Sequence, residues 1–454
     1  MGDYQKIFKA YDIRGIVPDE LDERVAEAVG AAFARLTGAK SVITVHDMRT
    51  SSAPLAEAFG RGAAAQGADV VAAGLGSTDM LYYASGSLDL PGAMITASHN
   101  PSKYNGIKLC WAGARPVGQD SGLADLRDMA AVGVPAHDGP QGTITPRDLL
   151  SGYASHLKSL VDLSGVRPLT VVVDAGNGMA GHTVPAVFEG LPITLVPLYF
   201  ELDGTFPNHE ANPIDPLNLR DLQRSVIDSG ADIGLAFDGD ADRCFVVDER
   251  GQIVSPSVLT ALIAVRELAR EPGSTVIHNL ITSKAVPEII AEHGGTPVRT
   301  RVGHSFIKAR MAETGAVFGG EHSGHFYFRD FWFADSGMLV ALHLLAALGE
   351  QAGPLSALLA GYGRYVASGE INSEVHDQAE VTARVREEFA SRPGVTTDEL
   401  DGMTVTGDGW WFNLRPSNTE PLLRLNLEAS DETTMTRLRD EVLSIVRAHP
   451  REST

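Results

Sequence analysis

The chain has 454 residues, of which 44% are hydrophobic and 21% charged, the composition of an ordinary globular protein. Its 37 Lys and Arg residues against 58 Asp and Glu residues give a net charge of -21, which argues against nucleic acid or an anionic membrane surface as a partner. The length predicts about three domains, with room for a fourth.

Two features of the chain bear on its compartment. The two cysteines, Cys110 and Cys244, stand too far apart for a disulfide framework, which indicates a reducing cytoplasm. The start, MGDYQKIFKAYDIRG, contains no apolar segment, so no targeting signal is expected. The most apolar run, at 338–349, is too short to span a bilayer and predicts a buried helix.

Runs rich in Val and Ile recur along the first two thirds of the chain with helical or glycine-rich stretches between them, a pattern typical of parallel βαβ construction. They form three groups of three predicted strands, at 42–45, 69–74 and 92–96; at 169–174, 193–198 and 232–237; and at 274–279, 296–302 and 315–320. The last strand of each group leads into a polar loop. Ligands bind outside the carboxyl ends of strands in open α/β sheets, so we predict three related α/β modules around one cleft.

From about residue 367 the pattern changes to a helix, three adjacent strands and a closing helix, which predicts an α+β domain. The closing helix is amphipathic, and Ser430 or Asp431 is its expected N-cap. Its apolar face is predicted to carry Met435, Leu438, Val442, Ile445 and Val446.

The first polar loop follows the stretch GAMIT and contains Ser98, His99, Asn100 and Pro101. Serine, asparagine and proline also punctuate ordinary exposed turns, so this loop alone does not distinguish a reactive serine from a turn. A reactive serine is the reading that needs support from the other loops.

The second polar loop places Asp238, Asp240 and Asp242 at alternate positions, directly before Arg243. Three carboxylates in a tight turn are hard oxygen ligands, which predicts Mg²⁺ or Ca²⁺ unless the loop is a solvated hairpin without metal. An EF-hand is disfavoured because Arg243 replaces the required glycine, although Glu249 stands at the twelfth loop position. Carboxylates and a guanidinium together can hold a phosphoryl group, so the loop indicates phosphoryl transfer.

Two further polar segments carry candidate ligand contacts. The third module supplies donors and acceptors suited to sugar hydroxyls, and the last domain supplies groups suited to an anion, in a turn between strands. Incidental polar turns are the alternative for both. The candidates are His304, Glu321, Ser323 and His325 in the third module, and Arg415, Ser417, Asn418 and Thr419 in the last domain.

A competing motif is VVVDAGNGMAG, in which Gly176, Gly178 and Gly181 have the spacing G-x-G-x-x-G after a predicted strand. Glu201 follows about twenty residues later, as a dinucleotide site requires. A nicotinamide-dependent oxidoreductase is therefore an alternative, although it leaves the aspartate triplet and the serine loop unexplained.

Five motifs in the same order resemble those of the α-D-phosphohexomutase family, in its phosphomannomutase/phosphoglucomutase branch: FKAYDIRG, TASHNP, DGDADR, GEHSGH and RPSNTEP. The resemblance covers nearly the whole chain. It implies three related mixed α/β sandwich domains around a cleft plus a C-terminal α+β domain. With the strand grouping, it gives domains at 1–150, 151–255, 256–366 and 367–454.

The resemblance also implies roles for single residues. Ser98 matches the phosphoserine, which would also face the Mg²⁺ held by the aspartate triplet, and Arg243 lies beside them. Lys108, His99 and His304 would move the sugar hydroxyl proton or orient the phosphoryl group. The matching phosphoserine-facing and substrate-binding residues are Tyr11 and Arg14 in the N-terminal loop, Glu321, Ser323 and His325 in the sugar loop, and Arg415, Ser417, Asn418 and Thr419 in the phosphate loop.

The implied reaction interconverts hexose 6-phosphate and hexose 1-phosphate through a 1,6-bisphosphate, with glucose or mannose 1,6-bisphosphate as activator. The motifs leave the sugar open, and mannose is favoured over glucose. Phosphoglucosamine mutase, whose sugar loop usually differs at the position of His322, is the main alternative, and a serine-dependent metal phosphatase is a third. Some relatives carry lysine at the position of Ile281, and whether Lys284 replaces it stays open. A monomer or homodimer is expected.

Overall fold

The computed structural model describes residues 4–417 and 422–448. The chain divides into two compact units, which are described separately: Met1–Pro256, Met311–Phe318 and Ser323–Leu358 in the first, and Ser257–Arg310, Gly319–His322 and Leu359–Thr454 in the second.

The first sheet has seven strands and combines parallel and antiparallel pairing. Its order is Ile13–Ile16, Tyr104–Trp111, Gly92–Ile95, Ser41–His46, Asp69–Leu75 and Ile144–Pro146, with Arg115–Pro116 paired to Tyr104–Trp111. The strand that leads into the serine loop runs parallel to its neighbour Ser41–His46 and antiparallel to Tyr104–Trp111. The α-helices of this part are Tyr4–Ile7, Glu23–Thr37, Ser52–Ala65, Thr78–Leu88 and Leu123–Val132.

The second sheet has five strands, in the order Ile253–Val254, Cys244–Asp248, Ile233–Phe237, Leu169–Asp174 and Ile193–Leu198. The three strands of the predicted group pair in parallel, and Cys244–Asp248 returns antiparallel to Ile233–Phe237. The α-helices here are Leu150–Leu160, Ala180–Phe188 and Arg220–Ser229.

A third five-stranded sheet contains Thr275–Asn279, Thr296–Thr300, Phe318–Gly320, Phe326–Phe328 and Ala334–Asp335. Its region contributes the α-helices Pro256–Arg270, Ala285–Glu292, His304–Thr314, Gly337–Gly349 and Leu355–Leu359. Every residue of Gly337–Gly349 is buried, as the apolar run predicts. Among the described residues, no helix is both long enough and apolar enough to cross a membrane.

The C-terminal region is an antiparallel sheet with two helices, which confirms the α+β prediction. The strand order is Val366–Glu374, Leu422–Ala429, Trp410–Pro416, Met403–Gly407 and Thr396–Asp398. The helices are Gln378–Ala390 and Glu432–Val446. Asp431 caps the second helix by accepting from the Thr434 backbone N–H, and the predicted apolar face packs into the core of this sheet.

The first two modules share one local topology around the polar loops. In each, a buried parallel strand ends at the loop and an antiparallel strand returns from it, as in Gly92–Ile95 with Tyr104–Trp111 and in Ile233–Phe237 with Cys244–Asp248. A loop closed by two paired strands has both ends fixed, so its side chains are held in place. The mixed α/β fold class predicted from the sequence is confirmed.

A buried carboxyl group, Asp79, joins three helices of the first unit. Tyr153 and Ser336 donate hydrogen bonds to its Oδ2 at 2.8 and 2.6 Å, and Ser77 donates to its other oxygen. Burial raises the pKa of Asp79 to about 7, against the hydrogen bonds that favour its ionised form. The pKa of Asp79 is therefore about 4 in the unfolded chain and about 7 in the folded protein.

This shift predicts a pH-dependent stability difference between wild type and Asp79→Asn. Between about pH 4 and the folded pKa the folded state binds more protons than the unfolded state, so the free energy of unfolding contributed by Asp79 falls as pH rises, by up to about 1.4 kcal/mol per pH unit. Denaturant unfolding at several pH values measures the difference. Asp89→Asn, at the exposed end of the same helix, is the control. The free energy of unfolding of wild type minus that of Asp79→Asn should fall as pH rises, and a rise would contradict the prediction.

Candidate functional site

Ser98 lies at the end of a buried strand, on a backbone turn with φ of 50°. Its amide donates to Thr96 Oγ1 at 2.9 Å, and its Oγ donates to Asp238 Oδ2 at 2.8 Å. The residue is only 5% exposed, so Ser98 does not belong to an ordinary exposed turn. The hydroxyl is held in a fixed direction towards the aspartate loop.

The aspartate triplet forms a buried cluster directly after strand Ile233–Phe237. Asp238, Asp240 and Asp242 each offer an oxygen, and these oxygens lie within 4.8 Å of one another. Asp240 Oδ1 and Asp242 Oδ1 are buried and have no hydrogen-bond partner among the described residues. Buried unpartnered carboxylate oxygens are costly without a cation, so the cluster fits a hard divalent metal ion.

The EF-hand alternative is wrong. The chain continues from Arg243 directly into strand Cys244–Asp248, which leaves no room for a twelve-residue loop. Glu249, at the twelfth position, instead accepts hydrogen bonds from the Ser356 backbone and hydroxyl at 3.0 and 2.5 Å. The triplet is therefore a site built from one tight turn.

Two cationic side chains face the triplet. Lys108 Nζ lies 2.7 Å from Asp240 Oδ2 and 2.6 Å from Asp242 Oδ2. Arg243 is buried, and its Nε and Nη2 donate to Asp238 Oδ2 at 2.9 and 2.8 Å. Three carboxylates thus face two cations close to the Ser98 hydroxyl, an arrangement suited to holding a phosphoryl group and a metal ion together.

The pKa shifts in this site follow from burial and from the neighbouring charges. Burial raises the pKa of Asp238 to about 7, although Arg243 opposes the shift. Burial also lowers the pKa of Lys108, but its pairs with Asp240 and Asp242 outweigh this and hold it above the usual range. Burial and the Arg243 charge hold the pKa of His99 far below its usual range. These shifts favour the charged form of Lys108 and the neutral form of His99.

His99 and Arg14 contact the serine loop and its partners. His99 Nδ1 lies 3.3 Å from Ser98 Oγ and 2.5 Å from Arg243 Nη2. Arg14 Nη1 donates to Asn100 Oδ1 at 2.6 Å, and its Nη2 pairs with Asp12. Tyr11 is half-buried, three residues before Arg14. Arg14 therefore contacts the serine loop, but it does so from the strand Ile13–Ile16 and not from a loop, because this strand pairs with Tyr104–Trp111.

The structure also brings part of the sugar loop to the triplet. Ser323 Oγ and His325 Nδ1 lie 3.1 Å apart, and His325 Nε2 is 3.8 Å from Asp242 Oδ1. An imidazole at this distance can donate to a ligand held beside the carboxylates. The predicted residues Ser323 and His325 thus join the first unit's cluster.

The second unit holds the remaining sugar-loop candidates. Glu321 is buried, and its Oε1 accepts from Gly303 N at 3.2 Å and from Asn279 Nδ2 at 3.5 Å. His304 begins the helix His304–Thr314, and its side chain is outside the described part of the structure. Ile281 is buried, whereas Lys284 Nζ lies 3.9 Å from Glu288 Oε1.

The phosphate-loop candidates require one correction. Arg415 lies within the strand Trp410–Pro416, whereas the sequence predicted that it lies in the turn. The sequence prediction ended this strand too early, because the strand continues for two residues beyond the apolar run and ends at Pro416. Arg415 Nε is buried and has no hydrogen-bond partner among the described residues. Asn418 and Thr419 lie outside the described residues.

The glycine motif of the dinucleotide alternative serves packing. A Cβ at Gly178 would come within 2.8 Å of the Gly239 carbonyl oxygen, between two loops of the second module. That oxygen accepts from the Met179 amide at 2.9 Å, directly before helix Ala180–Phe188. The helix N-terminus, which would receive a pyrophosphate in a dinucleotide site, is instead bonded to the aspartate loop.

Two contributors to the site were missed by sequence reasoning. Thr78 donates its hydroxyl to Asp240 Oδ2 at 2.6 Å, and its amide donates to the Asp240 carbonyl at 3.0 Å. Arg49 is buried beneath the serine loop. The only sequence signal for Arg49 is the polar segment HDMRTSS that follows the first long strand.

Four family models match the chain in order. They are the phosphoglucomutase/phosphomannomutase alpha/beta/alpha domains I, II and III, at residues 5–126, 151–251 and 256–365, and the C-terminal domain of the same family, at residues 370–445.

Full-length relatives agree with these matches. The chain is 41% identical over 440 residues to a protein of Xanthomonas campestris named phosphohexose mutases, covering 96% of this chain and 98% of the relative. It is 38% identical over 445 residues to the phosphomannomutase of Escherichia coli K12, covering 96% and 97%. A crystal structure of a phosphoglucomutase/phosphomannomutase family protein from Burkholderia thailandensis matches with a TM-score of 0.90 and 33% identity, covering 99% of both chains.

Proposed function

Since this chain belongs to the phosphoglucomutase/phosphomannomutase family, we propose that it interconverts the 6-phosphate and 1-phosphate of a hexose, with mannose preferred and glucose accepted. The observation that carries the proposal is the Ser98 hydroxyl, which lies 2.8 Å from Asp238 inside a buried cluster of three carboxylates. Curated relatives named phosphomannomutase support the choice of sugar.

Asp238, Asp240 and Asp242 would hold Mg²⁺, in contact with the phosphate carried on Ser98. When bound, the ion offsets negative charge on the phosphoryl oxygens. The chemistry of the donor set supports this choice, because three carboxylates are hard oxygen ligands and two of their oxygens are buried without a hydrogen-bond partner among the described residues.

The transfer consists of two steps with opposite direction. In the first, the P–O bond to Ser98 breaks and a P–O bond to the free hydroxyl of the hexose monophosphate forms, while that hydroxyl loses its proton and Ser98 Oγ gains one. The 1,6-bisphosphate then binds in the opposite orientation. In the second, the P–O bond between the sugar and its original phosphate breaks and a P–O bond to Ser98 forms, while Ser98 Oγ loses its proton and the sugar oxygen gains one. Lys108, Arg243 and Arg14 hold the phosphoryl oxygens by charge. A lost enzyme phosphate would be restored by glucose or mannose 1,6-bisphosphate.

The proton of the sugar hydroxyl needs an acceptor. His99 is a weak base at this position, because burial and the Arg243 charge hold its pKa far below the usual range. Lys108 is already protonated and acts as a charge. We therefore assign orientation to His99 and Lys108 and leave His304 as the candidate base.

The substrate must bind in two orientations. We propose that Glu321, Ser323 and His325 are ligands of the sugar hydroxyls, because a carboxylate and a hydroxyl bind either orientation of a pyranose. The retained phosphate would be held by the phosphate loop, which consists of Arg415, Ser417, Asn418 and Thr419. The Nε of Arg415, which is buried and has no hydrogen-bond partner within residues 4–417 and 422–448, supports this assignment.

Arg415→Ala is expected to raise KM for hexose phosphate about 10- to 150-fold, the equivalent of about 1.5–3 kcal/mol for a lost charged contact. The kcat should change much less, because the transferring phosphate is held elsewhere. Steady-state kinetics measures both constants. Arg437→Ala, on the exposed face of the last helix, is the matched control and should leave KM unchanged. An unchanged KM in Arg415→Ala would contradict the phosphate-loop assignment.

The experiment that tests the function supplies mannose 1-phosphate, glucose 1-phosphate and glucosamine 1-phosphate separately and measures the 6-phosphates and free phosphate. We expect 6-phosphates as main products, with mannose fastest. Faster conversion of glucosamine 1-phosphate would identify a phosphoglucosamine mutase instead. Free phosphate as the main product would identify a phosphatase and would refute the mutase assignment.

We place the enzyme in the reducing cytoplasm, as a monomer or homodimer that acts on a small phosphosugar. Cys110 and Cys244 are both buried and form no disulfide, which agrees with a reducing compartment.

A further inference from the structure

The Arg49 guanidinium donates hydrogen bonds to four backbone carbonyl groups of the serine loop. The residue is 3% exposed and precedes helix Ser52–Ala65. Nη1 donates to the carbonyl oxygens of Pro101 and Tyr104 at 2.9 and 3.0 Å. Nη2 donates to those of Ser98 and Asn100 at 2.9 and 2.6 Å. One side chain therefore satisfies four carbonyls of the segment 98–104.

This segment needs such a restraint. Ser98 adopts a φ of 50°, a region that costs a non-glycine residue about 1–2 kcal/mol. On its other side the Ser98 carbonyl packs against the aspartate loop, since a Cβ at Gly239 would lie 2.5 Å from it. A loop held by four charge-assisted hydrogen bonds keeps one conformation, whereas solvated loops are mobile.

Arg49 is itself fixed by two residues, Asp47 and Phe206. Its Nε lies 3.3 Å from Asp47 Oδ2, and its backbone N–H donates to Asp47 Oδ1 at 3.0 Å. Ser52 donates to the same Asp47 oxygen at 2.5 Å. The ring of Phe206, from the second module, lies 5.0 Å from the guanidinium carbon, within cation–π range. The guanidinium is thus paired, oriented and tied to the module that carries the triplet.

We propose that Arg49 is a positioning residue that holds Ser98 at one distance from the aspartate triplet while the serine acts first as phosphoryl donor and then as acceptor. The inference rests on the proposed mutase function. Both steps require the same oxygen in line with the phosphorus, and a misplacement of about 1 Å costs about 100-fold in rate. Lysine cannot replace Arg49, because one ammonium has three donors and no planar fork.

The test compares Arg49→Lys with wild type. We expect kcat to fall about 100-fold while KM for hexose phosphate stays within about threefold, because the sugar contacts are untouched. Hydrogen exchange of the segment 98–104 should accelerate, whereas that of 238–243 should not. Arg61→Lys is the control: Arg61 lies in the helix Ser52–Ala65 that follows Arg49, its side chain is 47% exposed, and it pairs only loosely with Glu23 and Glu27.

Several outcomes would overturn the proposal: wild-type kcat in folded Arg49→Lys, a loss confined to KM, or unchanged exchange of 98–104. If Arg49→Lys does not fold, Phe206→Leu removes only the ring contact. It should lower kcat a few-fold at unchanged KM, and wild-type kcat and exchange there would overturn the proposal. If wild type has no mutase activity, the proposed function is refuted. The role of Arg49 in positioning the serine loop is still tested in that case, because hydrogen exchange is measured without substrate.

Discussion

Ser98→Ala is expected to lose all measurable turnover of hexose phosphate, a fall of about 10⁴-fold or more, because the proposed phosphoryl carrier is removed. The fold should persist. The variant loses the hydrogen bond to Asp238, worth about 1 kcal/mol, and the longer contacts to His99 and Arg243. Asp238 keeps both side-chain contacts to Arg243. Kinetics and thermal unfolding measure the two effects.

Intact mass provides the second readout for this variant. After incubation with glucose 1,6-bisphosphate, wild type should gain one phosphate group and Ser98→Ala none. Ser102→Ala, an exposed serine in the same loop, is the control and should be phosphorylated and active like wild type. Full activity of Ser98→Ala would refute the role of Ser98 as phosphoryl carrier.

Asp240→Asn is expected to lower activity about 10³-fold at a fixed Mg²⁺ concentration and to weaken Mg²⁺ binding measured by calorimetry. The substitution keeps an acceptor for Lys108 and Thr78 but places an amide where the carboxylate has a buried oxygen without a partner among the described residues. Wild type should lose activity in EDTA and recover it with Mg²⁺.

The control for the metal site is Asp228→Asn, which makes the same substitution on the exposed face of helix Arg220–Ser229. Its activity and its Mg²⁺ requirement should match those of wild type. Two results would contradict the metal assignment: wild-type activity that EDTA does not affect, or an Asp240→Asn protein that behaves like the control.

Much of the fold could be predicted from local sequence because its parallel strands are runs rich in Val and Ile. Leu169–Asp174 and Ile193–Leu198 have the predicted bounds, and Ser41–His46 and Asp69–Leu75 differ by one or two residues. Runs of Val and Ile bounded by glycine identify such strands. The polar loops could be placed because each follows one of these runs.

The returning antiparallel strand Tyr104–Trp111 was not predicted. Tyr104–Trp111 contains asparagine, glycine and lysine, a composition that resembles a loop. It is a strand because Gly92–Ile95 and Ile13–Ile16 pair with it on both sides, and pairing between distant segments leaves no local signal. This strand positions Lys108. The sequence predicted Lys108 as a site residue but did not predict the strand that places it there.

The burial of the site could not be predicted either. Ser98 and its neighbours have the composition of an exposed turn, but Arg243 and Asp238, about 140 residues away in sequence, close over the serine. Arg49 donates hydrogen bonds to backbone carbonyl groups, and the Thr78 hydroxyl donates to a single carboxylate. Such contacts follow from the tertiary arrangement, whereas the motifs identify only the residues that carry the chemistry.

The most direct test of the account follows the phosphate on Ser98 through one turnover. Protein carrying isotopically labelled phosphate on Ser98 is mixed with a limiting amount of unlabelled mannose 1-phosphate. The account predicts that the label appears at C6 of mannose 6-phosphate and that Ser98 then carries the unlabelled phosphate of the substrate. Label released as inorganic phosphate, or label that stays on the protein while mannose 6-phosphate forms, would contradict it.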